Sequence, residues 1–396
     1  MSRRVKGFRF AGVHGGVKAA DALDLGLIAA DAPASAAGVF TKNRVRAAPV
    51  TISERRLRGG RCQAVLVNSG NANACTGRQG QQSALGLSRD AGRALGIKST
   101  LVLPASTGVI GVQLPVERMS TAIPILVDDL SPTGASRFAR AIMTTDRGPK
   151  VARAELKVGR SVCQVLGIAK GAGMIHPNMA TTLAFVTTDA ALEPQALGRF
   201  LREATEATFN RATVDGDTST NDSIYALASG AATSRSLARN SAAGRRFAGA
   251  LMEVLESLAK MIVADGEGAE HLVRIEVRGA RTDADAVQIA RTIAGSQLVK
   301  TALHGCDPNW GRILAAAGRS GARFNPDHVS MSIGPVSIFE RGTPTMSAKT
   351  EAKATAVMKR AEYEIRLSVG AGRGLGHYWT CDLGHEYVRI NADYRT

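Results

Sequence analysis

Two stretches of the chain, residues 194–210 and 243–263, carry their apolar side chains on a single helical stripe. Leu197, Phe200, Leu201, Ala204 and Ala207 make the first, and Phe247, Leu251, Val254, Leu255, Leu258 and Ile262 the second. Such a stripe must be covered. The segments suited to cover it are apolar runs of strand length at 64–67, 101–103, 162–168 and 183–186, bounded by clusters rich in glycine and asparagine. Residues 271–277 alternate as a half-buried strand does, and 329–339, 363–369, 377–383 and 386–390 read as further strands. Asp283 is placed to cap a helix through Val287, Ala290, Ile293 and Ala294, and Ser347 one over 349–360. Strands and helices do not alternate regularly, so the expected class is mixed α/β with layered sheets covered by helices, not a doubly wound fold. With 396 residues and 44% hydrophobic ones, the chain can bury one large core or two. Composition shifts softly near 279–285, and no internal repeat or low-complexity linker appears.

Charge narrows the function. Lys and Arg number 50 against 34 Asp and Glu, a formal excess of +16, which raises nucleic acid as a partner. Yet aromatics are only 4%, and neither a long basic block nor zinc-finger spacing is present. A basic nucleic-acid-binding protein is therefore the weaker reading. The five cysteines are odd in number, scattered and without a CxxC pair, which argues against a disulfide framework and a zinc site. No apolar run approaches membrane-spanning length, so a cytoplasmic protein with no membrane partner is expected.

The most unusual stretch runs from Gly167 to Thr182. Its glycines and Lys170 suggest a phosphate loop, but the GxxxxGK[ST] order is missing and no helix opens there. Instead a Pro177-Asn178 turn leads to two threonines, Thr181 and Thr182, at the start of the strand 183–186. Three other segments, 105–111, 213–223 and 264–268, are equally dense in small polar residues between apolar ones. Hydroxyls, carboxylates and glycine amides of this kind bind a polar amino acid and stabilise an oxyanion.

These segments carry a family resemblance. Ala36-Ala37-Gly38-Val39-Phe40-Thr41, Val67-Asn68-Ser69-Gly70-Asn71-Ala72-Asn73-Ala74, Ser106-Thr107-Gly108-Val109-Ile110-Gly111, Met143-Thr144-Thr145-Asp146, Lys170-Gly171-Ala172-Gly173-Met174, Pro177-Asn178-Met179-Ala180-Thr181 and Ile390-Asn391-Ala392-Asp393-Tyr394-Arg395-Thr396 occur in that order. Together they resemble the glutamate N-acetyltransferase or ornithine acetyltransferase family of arginine biosynthesis. The resemblance implies a DmpA/ArgJ-like layered fold and a precursor that cuts itself between Ala180 and Thr181. The products would be an α chain of 1–180 and a β chain of 181–396, within which 181–280 completes the catalytic domain and 281–396 forms a C-terminal α/β domain, assembled as α2β2. Thr181 would be the nucleophile, its freed α-amine the base, and Thr107 and Gly108 the oxyanion donors. The implied substrate contacts are Thr144, Lys170, Thr181, Glu267, Asn391 and Thr396. The implied reaction moves acetyl from N2-acetylornithine to glutamate through an acetyl-Thr181 ester. No metal or organic cofactor is implied, although acetyl-CoA could serve as a second donor. An amidase or a secondary-metabolism acetyltransferase with the same nucleophile is the nearest alternative.

Two residues depart from the family pattern beside presumed contacts: Arg147 and Glu270 stand where threonine is usual. His176, five residues before Thr181, reads as a turn residue, and Cys306 as scaffold without an evident base. Asp215, Asp217 and Asp222 are closely spaced but lack the EF-hand glycine and glutamate, so they suit the wall of the site or a subunit contact better than a metal.

Overall fold

The computed structural model describes residues 4–19, 22–176, 182–233 and 235–393. Eight strands form the first sheet: β1 (Phe8–Val13), β2 (Leu25–Phe40), β3 (Arg61–Asn71), β4 (Val102–Val109), β5 (Lys150–Val158), β6 (Ser161–Lys170), β7 (Leu183–Thr188) and β8 (Ser223–Ala228). Their order is β4-β3-β2-β8-β7-β6-β5, with β1 paired to the first half of β2. Two neighbouring pairs, β3–β4 and β7–β8, are parallel. The strand β2 reaches across the sheet because it changes partner, Leu25–Ala30 pairing with β1 and Ser35–Phe40 with β8.

Every residue of β7 and β8 is buried, because both faces of the sheet are covered. Ala184 and Val186 face the two helices foreseen from the apolar stripes, Pro194–Ala207 and Ala242–Ala264. Leu183 and Phe185 face the opposite side, where the helix Ala135–Ala141 lays Phe138 on the sheet. There Phe185 stacks on Tyr225, with ring centroids 5.5 Å apart, and meets Phe138 edge-on at 5.3 Å.

The second sheet has the order β12-β11-β10-β13-β9-β14, built from β9 (Leu272–Ala280), β10 (Ser330–Ile333), β11 (Val336–Glu340), β12 (Thr343–Pro344), β13 (Glu362–Ser368) and β14 (Gly374–Cys381). The helices Asp283–Ala294, Trp310–Gly318 and Ala348–Met358 share its core. β9 pairs with β13 on one side and β14 on the other, so Leu272–Ala280 belongs to this second sheet. The alternation read along 271–277 is real, but Glu276 is buried between Arg274 and Arg278, which neutralise it.

Two local expectations need correction. Residues 386–390 are not a strand but part of the helix His385–Asp393. Tyr, Val and Ile favour strands only where a sheet edge accepts them, and β14 ends at Cys381. The cap of the helix Asp283–Ala294 is Thr282, whose hydroxyl accepts from Asp285 N; Asp283 instead accepts from Leu375 N at 2.9 Å. Ser347 does cap its helix.

Candidate active site

The parallel pair β3–β4 ends where Gly70 lies opposite Gly108. At Gly108 φ is +134°, and a Cβ would sit 2.2 Å from Gly70 C, so only glycine lets the strands approach this closely. This contact presents Thr107 and Gly108 to a cavity of about 260 Å³ that also takes in Thr144, Lys170, Glu267 and Asn391. Six of the residues implied by the motifs thus share one wall-to-wall space. Ala180, Thr181 and Thr396 lie outside the described residues. Thr182, joined covalently to Thr181, lines the cavity, and its hydroxyl donates to Lys170 O.

Lys170 closes β6 and is buried. Its Nζ donates to Thr144 Oγ1 at 2.7 Å and Thr107 Oγ1 at 3.3 Å. Accepting from the ammonium leaves the Thr107 O–H free to donate into the cavity. Burial draws the Lys170 pKa down, opposed by the carboxylates of Asp146, Glu267 and Asp222. Across the cavity, Glu267 follows the C-terminus of the helix Ala242–Ala264, and its Oε2 accepts from Asn391 Nδ2 at 2.8 Å. Gly173 is what lets it stand there, since a Cβ would fall 2.4 Å from Oε2. Asn391 reaches the site from the C-terminal helix, together with Tyr387 one turn earlier. A cation, Lys170, carboxylates among them Glu267, and several hydroxyls facing one space can read the two charges of a free amino acid.

The segment 213–223 is wall, as expected, and its carboxylates divide the work. Asp215 holds the turn at Met174 by accepting from Met174 N at 2.6 Å and Ile175 N at 2.8 Å. Asp222 is fully buried with Oδ2 unpartnered, and burial pushes its pKa well above the carboxylate range. Among the described residues, no group of three or more His, Cys, Asp or Glu side chains could hold a metal ion.

The chain matches the model of the ArgJ family over residues 9–396. It is 49% identical over 394 residues, 99% of its length and 100% of the relative's, to the arginine biosynthesis bifunctional protein ArgJ of Syntrophotalea carbinolica. To the protein of the same name from Geobacter sulfurreducens it is 48% identical, covering 99% of this chain and 100% of that one. A solved chain of the ArgJ protein of Bacillus halodurans matches at 45% identity with a TM-score of 0.51, over 53% of this chain and 98% of its own. The chain belongs to the ArgJ family. It is accordingly an acetyltransferase of arginine biosynthesis.

Behind the ArgJ cavity stands a residue that sequence reasoning left unassigned. Asp146, inside the quoted Met143–Asp146 motif, is buried and bonds Lys150 Nζ at 2.6 Å and Gly171 N at 2.7 Å. Burial alone would raise its pKa, but Lys170 and Lys150 outweigh that and hold it down to about 2. The departure Arg147 pairs with Asp265, Nε to Oδ1 at 2.9 Å, so it faces the back of the site and not its interior. Glu270, the other departure, contributes its amide to Asp382. His176 accepts at Nε2 from Arg291 Nη2 at 2.8 Å, and burial with the Arg291 charge pushes its pKa down to about 4. It is a neutral tie between the site and the second sheet. Cys306, expected to lack a base, has His271 Nε2 at 3.7 Å, yet burial pushes its thiol pKa up, as befits scaffold. No helix among the described residues is long and apolar enough to cross a membrane.

Proposed function

We propose that this chain moves the acetyl group of N2-acetylornithine to glutamate by a ping-pong reaction through an acetyl-Thr181 ester. The observation that carries the reading is the convergence of Thr107, Gly108, Lys170 and Glu267 on one cavity beside Thr182. In the precursor, the Thr181 hydroxyl attacks the Ala180 carbonyl, the peptide bond becomes an ester, and water opens it. The released α-amine, with an ordinary pKa of about 8, then serves as general base to the same hydroxyl. The hydroxyl attacks the acetamide carbon of the donor, and the oxyanion forms within reach of Thr107 O–H and Gly108 N–H. Its collapse expels ornithine, and the glutamate amine takes the acetyl group in the reverse sequence. Lys170 with Thr144 holds substrate carboxylate, and Glu267 with Asn391 an ammonium. Thr396 would add a further contact.

The share of the chain matched by the Bacillus halodurans structure supports separate chains. Residues 181–396 are 216 of 396, or 55%, close to the 53% over which that nearly complete solved chain aligns. The reading needs no metal or organic cofactor and takes acetyl-CoA as an alternative donor. It also carries the α2β2 assembly, the two-part β chain and a cytoplasmic location. Intact mass under denaturing conditions tests it, wild type against Thr181→Ala. Fragments fitting 1–180 and 181–396 in wild type, one uncut chain in the variant, and isotope moving from labelled N2-acetylornithine to glutamate are expected. An uncut wild-type chain, or acetate as the sole labelled product, overturns it.

A further inference from the structure

Asp146 sits behind the cavity, at the junction of the two stretches that supply its carboxylate-binding groups. Its Oδ2 accepts from Thr144 N at 2.9 Å and its Oδ1 from Gly171 N at 2.7 Å. It therefore fixes the backbone on both sides of the Lys170 ammonium, which lies 4.0 Å from Oδ2. Behind Asp146 the charges alternate out to the surface. Lys150 Nζ bonds both Asp146 and Asp265, and Asp265 pairs with the exposed Arg147. Lys170, Asp146, Lys150, Asp265 and Arg147 form one chain of five alternating charges.

That arrangement answers a specific electrostatic problem. The hydrogen-bond acceptors of Lys170 among the described side chains are two neutral hydroxyls, which orient a buried ammonium but do not hold its proton. Of the charged groups around it, Lys150 repels it, as does Lys18, whose own Nζ is tied to Met143 O. Of the carboxylates, Asp222 acts least on Lys170 and burial raises its own pKa, and Glu267 is committed to Asn391 and to a substrate ammonium. Asp146 is left as the standing carboxylate, and it keeps its charge in a buried place because Lys170 and Lys150 flank it, Lys170 having the larger effect.

We propose that Asp146 is the positioning residue of the carboxylate subsite, holding Lys170 charged and in register with Thr144, with Lys150, Asp265 and Arg147 as its supporting charges. This rests on the reading of Lys170 as the anchor for a substrate carboxylate. It also accounts for Arg147, which ends the chain of charges at the surface.

The test is the protonation of Lys170 itself, read without any acetyl transfer. Competitive labelling with acetic anhydride across pH, quantified at Lys170 by mass spectrometry, gives the pH at which its amine becomes nucleophilic. In Asp146→Asn that onset falls by about one unit or more, the size of shift expected on losing an opposite charge at this distance. Lys150→Met moves it the other way, because a repelling charge is gone while Asp146 remains. A general loosening of the structure would not produce opposite signs. In steady-state assays Asp146→Asn raises the KM for glutamate about tenfold while kcat changes less than about threefold, the cost of weakening one charged hydrogen bond. Asp146→Glu, which keeps the charge, labels like wild type, and it stands in if Asp146→Asn does not fold. An onset unmoved in folded Asp146→Asn, or one in Asp146→Glu shifted down as far as the Asn variant is expected to be, overturns the proposal. Absence of acetyl transfer by wild type, with the labelling shifts intact, would instead sink the proposed reaction alone.

Discussion

Gly173 offers a way to displace Glu267 without touching it. In Gly173→Ala the new Cβ would meet Oε2 at 2.4 Å, Cδ at 2.5 Å and Oε1 at 2.6 Å, whereas ordinary contact begins at 3.4 Å. The carboxylate must retreat by about 1 Å, enough to break a directed hydrogen bond. Gly173 is not among the glycines with a left-handed φ, so alanine adds no backbone strain. The movement also pulls Oε2 from Asn391 Nδ2, now 2.8 Å away. A charged hydrogen bond to substrate ammonium is worth about 1.5–3 kcal/mol, so kcat/KM for N2-acetylornithine should drop by between about tenfold and a hundredfold. Inhibition by ornithine should weaken alongside it. Because the clash is with the end of a flexible side chain, Tm should move by less than about 3 °C. Steady-state kinetics beside Glu267→Gln make the comparison, and the two variants should resemble each other. A kcat/KM within twofold of wild type, in protein of unchanged Tm, would refute the claim that Glu267 binds substrate from this position.

Other perturbations probe other links. Thr107→Val keeps the shape and leaves Lys170 its bond to Thr144; kcat should fall about a hundredfold with little change in KM, as for removal of one oxyanion donor, in single-turnover assays. Phe185→Ala removes the ring stacked on Tyr225 and should cost about 4 kcal/mol in denaturant unfolding of the intact assembly. The Asp146 carboxyl has a pKa held below its unfolded value, so its stabilisation is present above about pH 4 and is lost as pH falls toward about 2; the wild-type Tm should drop across that window more steeply than that of Asp146→Asn. His176, with its pKa pushed down to about 4, should stay neutral in NMR titrations until that pH, and should titrate higher in Arg291→Gln, where the cation facing Nε2 is gone.

The legible parts of the sequence were those governed by local periodicity and backbone need. The stripes on 194–210 and 243–263 became helices because 3.6-residue spacing reports a covered face whatever covers it. The all-apolar run at 183–186 was recognisable as a strand buried on both sides. Gly108 and Gly173 belonged to visible motifs, although what each glycine makes room for was not visible. By contrast, 386–390 read as a strand since its residues suit one, and nothing local says that no sheet edge waits for it.

By itself the sequence determined the layered α/β class, the family and the set of residue types able to handle an amino acid and its acyl group, since these follow from spacing and motif order along the chain. Only the tertiary structure decided that Thr107, Thr144, Lys170, Glu267 and Asn391 share one cavity. It also decided that Asp146 and Lys150 are completed by Asp265, 115 residues from Lys150. The physical reason is long-range packing: the pairing of β3 with β4 and of β6 with β7 places Thr107, Gly108 and Lys170, and the helices Ala242–Ala264 and His385–Asp393 bring Asp265, Glu267 and Asn391 to them. Burial among those neighbours, and not residue type, then sets which of them hold charge.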